Sequence, residues 1–325
     1  MTSDSIDISL VIPLYNEDES IEELVGWINK VFKSFNKTYE IILVDDGSDD
    51  NSWKIIEQLS LQFSFVKGVK FLSNKGKSVA LDAGFNLASG NVVITMDADL
   101  QDSPEEIPEL YRMIIEDDYD MVSGWKKKRF DPITKTIPSR LFNKVTQKIS
   151  GIPLHDFNCG LKAYKAEVVH NIRVYGEMHR YIPVIAKWHG FRKIGEKVVQ
   201  HQPRKYGVTK FGLERFINGF LDLLSITFVS KFKQKPMHFF GTVGTLFFMI
   251  GSIITIFLIS EKLYYNLYLN VQARSVVDKP HFFLALTSLI IGVQLFLAGF
   301  IGELVSTSSM RKADYQIAEK VGFND

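Results

Sequence analysis

The chain has 325 residues, 46% of them hydrophobic and 23% charged, which excludes both an intrinsically disordered protein and one made wholly of membrane spans. A formal net charge of +1 gives no global basic field, so we expect no nucleic-acid partner, and any anion site has to be built locally. The lone cysteine, Cys159, has no intrachain partner, and the opening Met1-Thr2-Ser3-Asp4 segment lacks the basic and apolar regions of a signal peptide; both point to a reducing cytoplasm for the bulk of the chain.

Residues 1–210 alternate short β-branched runs with amphipathic stretches, the rhythm of an α/β protein built from βαβ units. Strands are predicted at Ile8 to Leu14, Glu40 to Val44 and Asn91 to Met96, each nearly all apolar, as in a parallel sheet covered on both faces. Helices are predicted at Ser20 to Phe35, Ser52 to Phe63 and Lys77 to Ala88. The first strand runs into Pro13-Leu14-Tyr15-Asn16-Glu17 and the second into Asp45-Asp46-Gly47-Ser48. Carboxyl ends of strands are where open α/β sheets bind ligands, and an Asp there can accept from a ribose hydroxyl or a base edge. Asp-Asp-Gly-Ser is also a common turn. Asn74-Lys75-Gly76-Lys77 opens a helix, so its free amides together with Lys75 and Lys77 suit a diphosphate; a solvated lysine pair is the plainer alternative. The third strand runs straight into Asp97-Ala98-Asp99-Leu100-Gln101. Two carboxylates two residues apart can converge on one hard cation, whose remaining ligands a diphosphate supplies.

Taken in order, Pro13 to Glu17, Asp45 to Ser48, Asn74 to Lys77 and Asp97 to Gln101 resemble the motifs of the family-2 glycosyltransferases of GT-A (Rossmann-like) fold, and more narrowly those of the polyprenyl-phosphate glycosyltransferases. The resemblance implies a nucleotide-diphosphate sugar donor, a polyprenyl phosphate acceptor, Mg²⁺ or Mn²⁺, and an inverting displacement. Carried over by position, Pro13, Tyr15, Glu17, Asp45, Asp46 and Ser48 hold the nucleoside, with Lys75, Lys77 and Asp97 on the donor. Asp97, Asp99 and Gln101 hold the metal and diphosphate. The segment His155-Asp156-Phe157-Asn158-Cys159-Gly160 resembles the one that places an Asp beside the reacting sugar, which makes Asp156, with Asp99, the catalytic candidate; capping of a turn is the alternative for Asp156. A lipid monophosphate is already anionic at neutral pH, so Asp156 is expected to orient sugar or acceptor more than to remove a proton.

An anionic acceptor needs cations. Arg129, Lys135 and Arg140 lie between the two acidic motifs, with arginine the better fork for phosphate, while contact with anionic lipid headgroups suits the neighbouring lysines. Arg204 to Lys210 resembles the family's Arg-x-x-Gly-x-Ser-Lys loop, with Thr209 in place of Ser, and so implies a lid or phosphate loop using Arg204 and Lys210. His179 reads as packing or an acceptor-side contact.

Beyond the catalytic part, residues 211–236 are expected to form an amphipathic juxtamembrane segment on membrane lipid, with Lys231, Lys233 and Lys235 close to Pro236. Residues 237–305 should hold two transmembrane helices, about 238–260 and 281–303, whose charge-free cores of about 22 residues at ~1.5 Å each span a ~30 Å hydrocarbon layer. The basic flanks put both termini, including a tail at 306–325, on the cytoplasmic side of what we expect to be a bacterial inner membrane. Gly241, Gly244 and Gly251 are expected to let helices approach closely, and such small residues leave room for a homo-oligomer. Two other readings compete: a processive polysaccharide synthase, whose Gln-x-x-Arg-Trp motif departs at Lys205-Tyr206 here, and a non-catalytic nucleotide-sugar sensor or scaffold.

Overall fold

The computed structural model describes residues 6–127, 143–176, 178–203, 205, 236–269, 271–272, 274–308 and 317–322. They divide into two units, residues 1–226 with 314–325, and residues 227–313.

The first unit is built on one mixed sheet. Its strands are β1 (Ile8–Leu14), β2 (Tyr39–Asp45), β3 (Val66–Phe71), β4 (Val92–Thr95), β5 (Met121–Trp125), β6 (Lys162–Lys165), β7 (Ile194–Val198) and β8 (Ile317–Val321), in the spatial order β7-β5-β6-β4-β1-β2-β3-β8. The central run β4-β1-β2-β3 is parallel, and β1 is buried along its whole length. Its side chains divide by period two: Ile8, Leu10, Ile12 and Leu14 enter one apolar layer, and Val11 enters the other. Helices α1 (Ile21–Phe35), α2 (Ser52–Gln62) and α4 (Ile107–Ile115) supply the first layer. The second holds α3 (Lys77–Leu87), α5 (Ala166–Asn171) and α6 (Ile182–Trp188). In α1 the residues Ile21, Leu24, Val25, Ile28 and Phe32 form the buried stripe that its spacing predicts, and Asn36 ends the helix in the left-handed region at φ 51°.

Two strands break the expected parallel pattern. β6 runs antiparallel between β4 and β5, and β8 pairs antiparallel with β3. The sheet reverses direction of chain travel beside β1, so the ends of β1, β2 and β4 open onto one crevice, where ligands of open α/β sheets bind.

The second unit is a pair of long helices, α7 (Pro236–Leu267) and α8 (Pro280–Ser308). Both are long and apolar enough to cross a membrane, and 17% of each most apolar window is buried, unlike the core helix of a soluble protein. The first helix extends past its predicted end: it continues through Glu261 and Lys262 to Leu267, and Glu261 pairs with Lys279 at 2.7 Å. Backbones meet where glycine permits. A Cβ on Gly244 would lie 2.7 Å from the Gly292 carbonyl oxygen, and one on Gly251 would lie 2.9 Å from that of Ala285. At Gly241 the Met237 side chain of the same helix is nearest, and a Cβ on Gly299 of α8 would lie 3.3 Å from the Gly241 nitrogen.

Candidate active site

The site grows from three strand ends. At the end of β1, Asn16 takes a left-handed conformation (φ 56°), and its amide donates to Ser48 Oγ at 2.9 Å while its side chain bonds Asp49 at 2.6 Å. The amide of Glu17 donates to Ser52 Oγ at 3.0 Å. These bonds tie the β1 and β2 exits into one wall, with Pro13, Tyr15 (39% exposed) and Glu17 on the cleft.

At the end of β2, Asp45 and Asp46 are both buried, and burial pushes both carboxyls above the usual carboxylate range. Asp45 Oδ1 accepts from the Ser48 amide at 2.8 Å, the turn geometry, whereas its Oδ2 is buried with no hydrogen-bond partner among the described residues. Asp46 accepts from the amides of Lys75 (2.7 Å) and Gly76 (2.8 Å). Those two amides are therefore engaged, a correction to their expected role as open anion donors, because the loop closes on a carboxylate of its own protein. The close approach needs Gly47: at φ 74°, a Cβ there would lie 2.7 Å from the Ser73 carbonyl carbon.

At the end of β4, Asp97 is 30% exposed and forms an ion pair with Lys77. Burial alone would raise its carboxyl, but the ammonium groups of Lys77, Lys126 and Lys162 outweigh that and hold it well below the usual range. Asp99, 8% exposed, accepts from the Gln101 amide at 3.2 Å across Leu100, another left-handed residue (φ 59°). Gln101 is tied to the Gln202 strand-like segment: the Gln202 amide donates to its carbonyl at 2.9 Å. Asp46, Asp97, Asp99 and Lys77 meet around a cleft of about 310 Å³, the lower end of small-ligand pockets. The carboxylate oxygens of Asp97 and Asp99, both on the cleft, suit a hard divalent cation, whereas Gln101 is not among the cleft-lining residues and its side-chain amide bonds the Gln202 carbonyl. No three His, Cys, Asp or Glu side chains converge among the described residues, so such a cation would need further ligands from a bound diphosphate.

The Asp156 segment behaves differently. Asp156 is 0% exposed; its Oδ1 accepts from the Asn158 amide at 3.0 Å, its carbonyl accepts from Ser123 Oγ, and its amide donates to Glu196 Oε1 at 3.1 Å. The Asp156 carboxylate is buried and caps the turn at Asn158, and Asn158 and Gly160 line a small cavity beside Asp97 that is separate from the larger cleft. Glu196 also holds His155 at 2.7 Å, and the His155 ring stacks on Trp125 at 4.1 Å. Cys159 is inert in this setting, its thiol pushed up to about 12 by burial, with Asp102 adding to the effect.

Two contributors escaped the sequence reading. A Cβ on Gly160 would lie 2.5 Å from Asp97 Oδ2, so its bareness makes the seat for that carboxylate. Lys162, on β6 opposite Thr95, is buried behind Asp97 and lines a small cavity with Asn158 and His179. Lys162 acts through its register with β4, and Gly160, which closes the segment quoted for Asp156, acts through its contact with Asp97. His179 bonds Ser78 at 3.0 Å, and burial holds its imidazole well below the usual range. Arg129, Lys135, Arg140, Arg204 and Lys210 lie outside the described residues.

Residues 9–173 match the model of glycosyl transferase family 2. The chain is a family 2 glycosyltransferase. It is 33% identical over 94% of its length to the dodecaprenyl-phosphate galacturonate synthase of Rhizobium johnstonii, covering 90% of that protein. It is 35% identical over 92% of its length to the undecaprenyl-phosphate 4-deoxy-4-formamido-L-arabinose transferase of Shewanella sediminis, covering 86% of it. Glucosyl-3-phosphoglycerate synthase from Mycobacterium tuberculosis, solved with Mn²⁺, uridine diphosphate and glucosyl-3-phosphoglycerate, superposes with a TM-score of 0.53 at 19% identity over 69% of this chain and 79% of that one. That likeness identifies the GT-A fold of this glycosyltransferase.

Proposed function

We propose that this glycosyltransferase moves a sugar from a nucleotide-diphosphate sugar onto a polyprenyl phosphate, with inversion, at the cytoplasmic face of a bacterial inner membrane. The observation that carries the proposal is the joining, in one chain, of the Asp46, Asp97 and Asp99 cleft to two helices long enough to cross a bilayer. The similarity to polyprenyl-phosphate sugar transferases, over 92–94% of the chain, supports it. A processive synthase or a non-catalytic sensor has no comparable observation behind it. Because β8 follows α8 and belongs to the sheet of the first unit, an even number of crossings suits the chain, with both termini cytoplasmic.

In this reading Pro13, Tyr15, Glu17 and Asp46 face the nucleoside, and Asp45 supports their wall from beneath. Lys77 exchanges its Asp97 partner for the donor diphosphate. Asp97 and Asp99, with Gln101, would hold Mg²⁺ or Mn²⁺, which would offset the charge of the departing nucleoside diphosphate. A non-bridging oxygen of the acceptor phosphate attacks C1 from the face opposite the leaving group. The C1–O bond to the diphosphate breaks as the new one forms, and no proton need move, since the acceptor is already ionised. In-line alignment then carries the rate, with Arg129, Lys135 and Arg140 holding the acceptor phosphate and Arg204 and Lys210 closing on the donor. Asp156 shapes the turn that presents Asn158 and Gly160.

The test is transfer of radiolabelled sugar from a panel of uridine- and guanosine-diphosphate donors to undecaprenyl phosphate by the purified full chain. Label in the lipid fraction, abolished by EDTA and restored by Mg²⁺ or Mn²⁺, is the expected result. Label in a water-soluble polymer, or none with any donor and polyprenyl phosphate, overturns the proposal.

A further inference from the structure

β8 is remote in sequence from the cleft, yet it pairs with the strand that feeds it. Its register on β3 runs Gly68↔Val321, Val69↔Lys320, Lys70↔Glu319 and Phe71↔Ile317, with an irregularity between Lys70 and Phe71. The sequence on both sides suits this pairing. A Cβ on Gly68 would lie 2.9 Å from Val321 Cγ2, so the bare glycine makes room for Val321 to pack on the core. Trp53 Nε1 donates to Glu319 Oε2 at 2.8 Å. Beyond the strand the chain turns at Gly322, φ 77°, where a Cβ would lie 2.6 Å from the Val66 carbonyl oxygen.

The last rung is at Phe71, and the next residues lead to the loop whose Lys75 and Gly76 amides close on Asp46. Without β8, β3 is an edge strand with one row of backbone groups facing solvent, and its exit is held from one side only. We propose that β8 is a positioning element of the donor site: by fixing the exit of β3 it holds the residue 72–76 loop against Asp46 and Gly47. The proposal rests on the reading of this cleft as the nucleotide-sugar site. The catalytic sheet is then completed by chain that follows the apolar helices, and donor affinity depends on that segment although it touches no donor.

The test compares the full chain with a variant ending at Gln316, with Trp53→Phe, which removes the indole donor and keeps a ring, and with the truncated chain supplemented by a synthetic peptide of residues 317–325. Amide hydrogen exchange of the 72–77 segment is read without any ligand, so its outcome stands even if transfer to polyprenyl phosphate is never observed. We expect exchange there to quicken about tenfold or more on truncation and about two- to threefold in Trp53→Phe, with the peptide restoring protection. In the transfer assay the donor KM should rise about five- to tenfold on truncation while kcat stays within about twofold. Unchanged 72–77 protection in Trp53→Phe and in the folded truncated chain overturns the proposal. So does a fall in kcat at constant KM, the mark of lost folded enzyme alone.

Discussion

The two sides of the cleft are built by opposite rules. On the side of β1, β2 and β4, carboxylates stand at strand ends, tied by short hydrogen bonds to neighbouring loops, and Asp97 and Asp99 reach the cleft surface. On the side of β5 to β7, Asp156 lies fully buried beneath its own turn, and Glu196 holds that turn from a separate strand. The first side brings charge to the cleft surface. The second uses the Glu196 and Asp156 carboxylates to hold a turn, and Asn158 and Gly160 of that turn line a small cavity beside Asp97. Asp46, Asp99 and Asp156 are all buried, so what separates them is position: Asp46 and Asp99 line the cleft, whereas Asp156 caps a turn.

The strongest attempt to break this division is Asp99→Ala, which should cut sugar transfer by about 10³-fold with little change in melting temperature, measured by lipid-fraction label and thermal unfolding. Next comes Gly160→Ala. The added methyl displaces the Asp97 carboxylate, and a misplacement of about 1 Å should cost about 10²-fold in kcat/KM, although no charged group is changed. Asp156→Asn keeps an oxygen to accept from the Asn158 amide, so transfer should fall by less than about tenfold, while Asp156→Ala loses the cap and about 1 kcal/mol of stability. A loss of about 10²-fold or more in Asp156→Asn with normal stability would show that the charge itself acts on the reaction, and the two sides would not differ as described.

The smallest effect concerns Asp45. Its carboxyl is raised by burial, so its ionised form is disfavoured in the folded chain: that penalty is absent below the unfolded carboxyl range and fully present above the raised folded value. Asp45→Asn should therefore raise the melting temperature by about 2–4 °C at neutral pH, and the gain should vanish on acidification as wild-type Asp45 protonates. Donor KM should rise in the same variant, because the wall beneath the nucleoside loses its charge. An unchanged melting temperature at pH 7 would mean that Asp45 carries no such penalty.

Much of the donor side was legible because its signals are local. β1 has its predicted limits, and β2 and β4 lie within a residue of theirs, since each is an apolar run bounded by polar residues. The acidic motifs follow these runs directly, so strand ends and chemistry were read together. β6 was invisible: Lys162-Ala163-Tyr164-Lys165 has two lysines in four residues, and its antiparallel place beside β4 is a tertiary fact. The same holds for the inward turn of Asp156, which depends on Glu196 some forty residues away, and for the seat that Gly160 makes for Asp97. In the helical pair, length and apolarity were readable from composition, but the continuation of α7 through Glu261-Lys262 was not, because the pairing of Glu261 with Lys279 is settled between elements.

The pairing of Phe71 with Ile317 also sets a timetable for biosynthesis. At ~5–20 residues per second, a ribosome needs roughly 10–50 s to travel from β3 to β8, and both apolar helices are made in that interval. The nascent sheet waits with β3 uncovered, an edge strand until β8 arrives. Completion of the sheet is thereby delayed until both apolar helices have been made, so a finished catalytic sheet certifies that the helical pair has already been synthesised.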